Sequence, residues 1–264
     1  MDKRPIGIFD SGIGGLTVVD ALSKKLPYET VLYVGDTARV PYGNKSKNCI
    51  QQYALEITKW LINKDCKMIV VACNTVSALA LDYLQANFSI PIIGVIDPGV
   101  DRAIKITQNN KIAVLGTSAT IRSDAYGKRL KAINSEIVVT SQACPLFVPL
   151  VEEGWVDGKV PLEIATHYFT TIRKIGVDTV ILGCTHYPLL KKIIKDSLGN
   201  SICLVDSGEA VVFNVISVLE KMKGLSIGEN GEIRCYVTDD PSLFNNLASR
   251  FCLKKTKHTI QIDL

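Results

Sequence analysis

The sequence is poor in the residues that metal centres need. It has three histidines, His167, His186 and His258, and its eight cysteines include no Cys-x-x-Cys pair, so the ligand spacing of a zinc site is missing. No window approaches the ~20 apolar residues of a membrane-spanning helix, and the first apolar stretch, Ile6 to Phe9, runs straight into Asp10. Charge of one sign is not in excess: Lys and Arg number 30 against 26 Asp and Glu, and only Lys254, Lys255 and Lys257 come close to a cluster. A nucleic-acid surface needs a denser basic patch, and a short terminal run reads as a solvated face. The chain starts without a signal-peptide pattern. The even cysteine count therefore reads as free thiols in a cytoplasmic protein, not as a disulfide framework. Neither a nucleic-acid nor a membrane partner is expected.

What is present is an ordinary globular composition, 47% hydrophobic and 21% charged over 264 residues. That length suits one large or two modest domains with a sizeable core. Short apolar, β-branched runs recur along it: Ile6–Phe9, Val31–Val34, Met68–Val71, Ile92–Val95, Ile112–Leu115, Ile137–Val139, Val180–Leu182 and Ile202–Val205. They are apolar on both faces and do not alternate, which predicts buried parallel strands. Amphipathic stretches lie between them. In Cys49 to Lys64, for example, Ile50, Tyr53, Ala54, Ile57, Trp60 and Leu61 share a helical stripe. These predict crossover helices and an α/β fold.

Laid against itself, the chain repeats. Pro5 to Ser11 resembles Lys111 to Thr117, each an apolar strand ending in a small hydroxyl residue before a helix. More closely, Val70-Val71-Ala72-Cys73-Asn74-Thr75 matches Ile181-Leu182-Gly183-Cys184-Thr185-His186. The order of the two pairs is the same. Two similar parallel-sheet α/β domains related by pseudo-two-fold symmetry follow, with a boundary expected at the turn-forming Asp97-Pro98-Gly99.

Ligands of open parallel sheets bind beyond the carboxyl ends of the strands, where helix N-termini present free N–H groups. All four repeated motifs sit there. Asp10-Ser11-Gly12-Ile13-Gly14-Gly15 is a loop whose backbone could approach a bound group closely. With Asp36 as a ribose-binding acid it admits a dinucleotide reading, although its spacing is not Gly-x-Gly-x-x-Gly. That reading leaves two cysteine turns without a task. Cys49, Cys66, Cys144, Cys203, Cys235 and Cys252 read as core-filling thiols. Cys73 and Cys184 each follow a strand and a small residue at a helix start, where the dipole favours thiolate.

A hydrolase needs one nucleophile, one base and an oxyanion hole, which a symmetric repeat does not naturally supply. Inverting a stereocentre needs a base on one face and an acid on the other, with exchangeable roles. Two thiols of reference pKa ~8.5 in a cleft between two domains can meet that demand.

Asp10 to Gly15, Pro41-Tyr42-Gly43, Ala72 to Thr75 and Gly183-Cys184-Thr185-His186-Tyr187-Pro188 together resemble the glutamate racemases of bacterial cell-wall synthesis, within the Asp/Glu racemase family. The resemblance spans nearly the whole chain. It implies interconversion of L- and D-glutamate with no pyridoxal phosphate or metal, and so no cofactor. D-glutamate would supply peptidoglycan and so maintain cell shape. Cys73 and Cys184 would be the acid/base pair, serving the D- and L-enantiomer respectively, with Asp10, His186 and Glu152 assisting. Asp10, Ser11, Tyr42, Gly43, Asn74, Thr75, Thr185 and His186 would hold the substrate, with Thr117 and Thr120 added through the repeat. The resemblance also implies that the segment from Ser207 returns to the first domain, giving 1–97 plus 207–264 and 98–206. It leaves a homodimer open. Some members carry an N-terminal extension tied to activation by a cell-wall precursor, and the start of this sequence argues against that control. An aspartate-type racemase and a non-catalytic two-lobed binding protein remain the rival readings.

Overall fold

The structure is a computed structural model describing residues 2–252 and 258–264. The Lys254, Lys255 and Lys257 run lies outside the described residues. The strands are β1 (Ile6–Asp10), β2 (Val31–Gly35), β3 (Met68–Val71), β4 (Ile92–Gly94), β5 (Lys111–Gly116), β6 (Val138–Ala143), β7 (Thr179–Gly183), β8 (Cys203–Asp206), β9 (Ile233–Val237) and β10 (His258–Gln261). Among the described residues they form two sheets, ordered β10-β9-β2-β1-β3-β4 and β6-β5-β7-β8. Every pairing is parallel. Fully buried runs such as Ile6, Ile8 and Phe9 on β1 explain this: strands apolar on both faces need cover on both, which crossover helices provide. A fully buried Ile, Val or Phe is worth about 1.5–3 kcal/mol.

The order β2-β1-β3-β4 recurs as β6-β5-β7-β8, so the sequence repeat is a repeat of topology. β1 and β3 lie side by side in one sheet, as β5 and β7 do in the other. The four motif-bearing loops therefore leave adjacent strand ends. One core cluster takes Ile8 and Val70 from the first sheet and Leu115 and Leu182 from the second, so the two units share buried apolar surface.

Some expectations change. Asp97-Pro98-Gly99 is not a turn but the opening of the helix Ile96–Ile106. Proline is compatible with a first helical turn, whose N–H groups have no intrahelical acceptor. This helix joins the two sheets and packs against the helix Ser207–Lys221. In the predicted amphipathic helix, observed as Lys47–Asn63, Tyr53 and Trp60 are only half-buried. Cys203, at the start of edge strand β8, is exposed and Cys49 half-buried, so the core-filling reading fails for these two. Cys66, Cys144, Cys235 and Cys252 are buried. No helix among the described residues is long and apolar enough to cross a membrane.

Candidate active site

The loops after β1, β3, β5 and β7 open onto one cavity of about 560 Å³, lined by both Cys73 and Cys184. Ser11, Tyr42, Gly43, Asn74, Thr75, Thr117, Glu152, Thr185 and His186 also line it. Asp10 and Thr120 do not: both are buried behind the lining.

Cys73 precedes the short helix Asn74–Leu79. Its Sγ lies 3.6 Å from Ser11 Oγ. Burial, reinforced by the nearby Asp10 charge, pushes the thiol up to about 12, against the pull of the Val76 N–H and Ser11. The expectation that a helix dipole would favour thiolate is thus overturned at Cys73, because a six-residue helix offers less than desolvation costs.

Cys184 also departs from expectation. It leads into a 3₁₀ turn, Tyr187–Leu190, and the α-helix begins only at Lys191. Its cationic partner is His186 instead. Cys184 Sγ lies 3.9 Å from His186 Nδ1, and His186 Nε2 lies 2.9 Å from Glu152 Oε1. Burial lowers the imidazole's affinity for a proton, but hydrogen bonds and charges from Cys184 and Glu152 outweigh it and raise the pKa to about 10. The ring is therefore an imidazolium at neutral pH, donating from both nitrogens.

Asp10 stands between the halves. It accepts from the Gly12 N–H at 3.1 Å and the Thr185 hydroxyl at 3.3 Å. Burial raises its pKa, while the His186 charge and these donors oppose the rise. The glycine-rich loop approaches protein here, not phosphate: a Cβ on Gly14 would lie 2.3 Å from Thr185 Oγ1 and 2.4 Å from His186 Nδ1. Only glycine lets the Cys184 turn pack this closely. Asp36 is no ribose acid either, because it is fully buried and accepts from Arg39, Tyr42 and Thr238. Its contact with Tyr42 fixes the loop bearing Gly43.

The polar wall is shared by both sheets. Thr75, Thr117 and Thr120 bring three hydroxyls within 2.9 to 3.2 Å of one another. Asn74 Oδ1 accepts from Tyr126 at 2.6 Å and Ser207 at 3.3 Å. These bonds orient the amide, and its buried Nδ2 has no partner among the described residues. An unsatisfied buried donor costs about 1–3 kcal/mol unless an acceptor reaches it.

Sequence reading missed Ser118 and Arg122, which also line the cavity. Their spacing of four puts them on one face of the helix Ser118–Ser123, directly after Thr117. It missed Pro145, Val148 and Pro149 too, which form an apolar flank beside Glu152.

The family profile described as Asp/Glu/Hydantoin racemase matches residues 16–214. The glutamate racemase of Geobacter metallireducens is 48% identical over 100% of this chain and 98% of its own length. A solved glutamate racemase isoform of Bacillus anthracis superposes with a TM-score of 0.96, at 37% identity, covering 100% of this chain and 99% of that one. A glutamate racemase of Francisella tularensis, solved in complex with D-glutamate, gives 0.94 at 40% identity, covering 100% and 98%.

Proposed function

The chain belongs to the Asp/Glu/hydantoin racemase family, among its glutamate racemases, and from that premise we propose that it inverts the α-carbon of glutamate by proton transfer between Cys73 and Cys184. The observation that carries this reading is the pair of strand-end cysteines lining one cavity from two sheets of the same topology. One thiolate takes the α-proton and becomes a thiol. The carbanion left behind takes a proton from the other thiol, which becomes a thiolate. The net change is configuration alone, and the next turnover in reverse starts from the exchanged protonation states.

The two thiols have unlike surroundings. Burial raises the Cys73 thiol, which suits it as an acid, while the His186 ring lies 3.9 Å from Cys184 Sγ. By the chain's likeness to the family, we assign the α-proton of L-glutamate to Cys184 and that of D-glutamate to Cys73. Asn74 Nδ2, the threonine hydroxyls, Ser11 and the Gly43 backbone hold the carboxylates and ammonium. We assign the first domain to 1–97 plus 207–264 and the second to 98–206, a division that agrees with sheet membership. The enzyme works in the cytoplasm, without cofactor, supplying D-glutamate for peptidoglycan.

The test is D-glutamate formation from L-glutamate in D₂O by the purified protein with no addition. Product carrying α-deuterium and retained activity in chelator fit the reading. Dependence on pyridoxal phosphate or metal, or turnover of aspartate in preference to glutamate, rejects it.

A further inference from the structure

The imidazole–carboxylate pair of the Cys184 half is braced by a segment far away in the sequence. Beyond the helix Pro241–Ala248, the chain places Phe251 edge-on against the His186 ring, with centroids 5.4 Å apart and planes at 83°. Phe251 is buried. The preceding residue reaches Glu152: Arg250 Nη1 donates to its backbone carbonyl at 2.5 Å. That carbonyl ends the helix Phe147–Glu152, where a guanidinium satisfies an orphan acceptor and complements the negative end of the dipole.

Gly154 completes the fit. Its φ is +80°, and a Cβ there would lie 3.1 Å from Arg250 Nη1. Glycine therefore serves both the turn and the approach of the guanidinium. Bracing matters because the Glu152 side chain is one-third exposed (34%), against 5% for His186, so burial alone does not hold the carboxylate. Cys73 takes its hydroxyl partner from the adjoining strand end of its own sheet.

We infer that Arg250 and Phe251 are positioning residues that hold Glu152 and His186 in register with Cys184, and so set the rate of one of the two proton transfers. This rests on the roles proposed above for His186 and Glu152. Loosening the brace lets the imidazole tilt, and misplacement by about 1 Å at a reacting group can cost on the order of 10²-fold.

Enantiomers have equal free energy, so kcat/KM in the two directions must fall together, and steady-state rates cannot separate the transfers. Deuterium at the substrate α-carbon can, because it reports only on the deprotonating cysteine. In Arg250→Met and Phe251→Leu, racemisation should fall by roughly tenfold or more. The isotope effect on α-deuterated L-glutamate should rise while that on D-glutamate falls, and Arg250→Lys should restore part of both. Isotope effects are ratios and do not depend on the folded fraction. Isotope effects unchanged, or moving in the same sense for both enantiomers, overturn the inference, provided His186→Asn shows the opposed shift. If His186→Asn lacks that shift, the role of His186 itself is what has failed.

Discussion

The two cysteine turns leave equivalent strands of equivalent sheets, yet their surroundings are not equivalent. Cys73 meets a neutral hydroxyl, Ser11, and burial drives its proton affinity up. Cys184 meets an imidazolium that is itself held by a carboxylate. The repeat thus places two thiols at one cavity, and what makes them different is His186, which stands in the repeat where the first half has Thr75, backed by Glu152 and by the segment beyond β9. Symmetry supplies position, while the added elements supply unlike neighbours.

The largest expected effect comes from erasing either thiol. Cys73→Ser and Cys184→Ser keep the cleft shape but substitute a far weaker acid/base, so racemisation should fall by several orders of magnitude in each, of the scale of about 10²–10⁴-fold or beyond. The comparison is read from a glutamate analogue with a leaving group on the β-carbon, where deprotonation alone gives elimination. Cys73→Ser should eliminate from the L-analogue and Cys184→Ser from the D-analogue. Equal preference in both variants would show that the two turns do not divide the chemistry.

The division can be sharpened at His186. His186→Asn should cost about 10²–10⁴-fold, the range for losing a proton-transfer partner, with elimination from the L-analogue hit harder. The same residue leaves a mark on stability. Its pKa is raised in the fold from an ordinary 6.5 to about 10. The stabilisation is therefore complete below about pH 6.5 and is lost as pH rises through about 10. Thermal unfolding midpoints should decline across that window in the parent protein and less so in His186→Asn; identical slopes would mean that the imidazole is not held protonated. Over the same window kcat/KM should fall on its basic side, with apparent values belonging to the coupled groups and not to one residue.

How much of this asymmetry was legible beforehand follows from where each residue lies. β1, β3, β5 and β7 are buried on both faces, so their apolar runs stand out, and the cysteine turns stand out with them. β9 alternates, with Arg234 exposed between buried Ile233 and Cys235, and β10 reads His-Thr-Ile-Gln, so no unbroken apolar run marks either. The resemblance brought in Glu152, but composition and periodicity carry no trace of its contact with Arg250, made 98 positions away. Pairings of that kind belong to tertiary structure. The helix-dipole argument failed for the opposite reason: it used local pattern where burial decides.

The smallest effect tests whether binding, unlike proton transfer, is shared by the two halves. Tyr126 comes from the second unit and donates at 2.6 Å to Asn74 Oδ1, beside Cys73 in the first. This bond orients the amide. Tyr126→Phe leaves Asn74 Oδ1 only the Ser207 hydroxyl at 3.3 Å, whose single hydrogen has a shorter acceptor in the Leu182 carbonyl at 3.0 Å, so the amide is free to turn away from its binding orientation. A neutral hydrogen bond of about 1 kcal/mol corresponds to roughly a fivefold weakening. KM should rise by about that factor for both enantiomers, with kcat and both isotope effects little changed. An effect confined to kcat, or isotope effects shifted in opposite senses for the two enantiomers, would place Tyr126 in the chemistry of a single half and break the separation between a common binding wall and two unlike thiols.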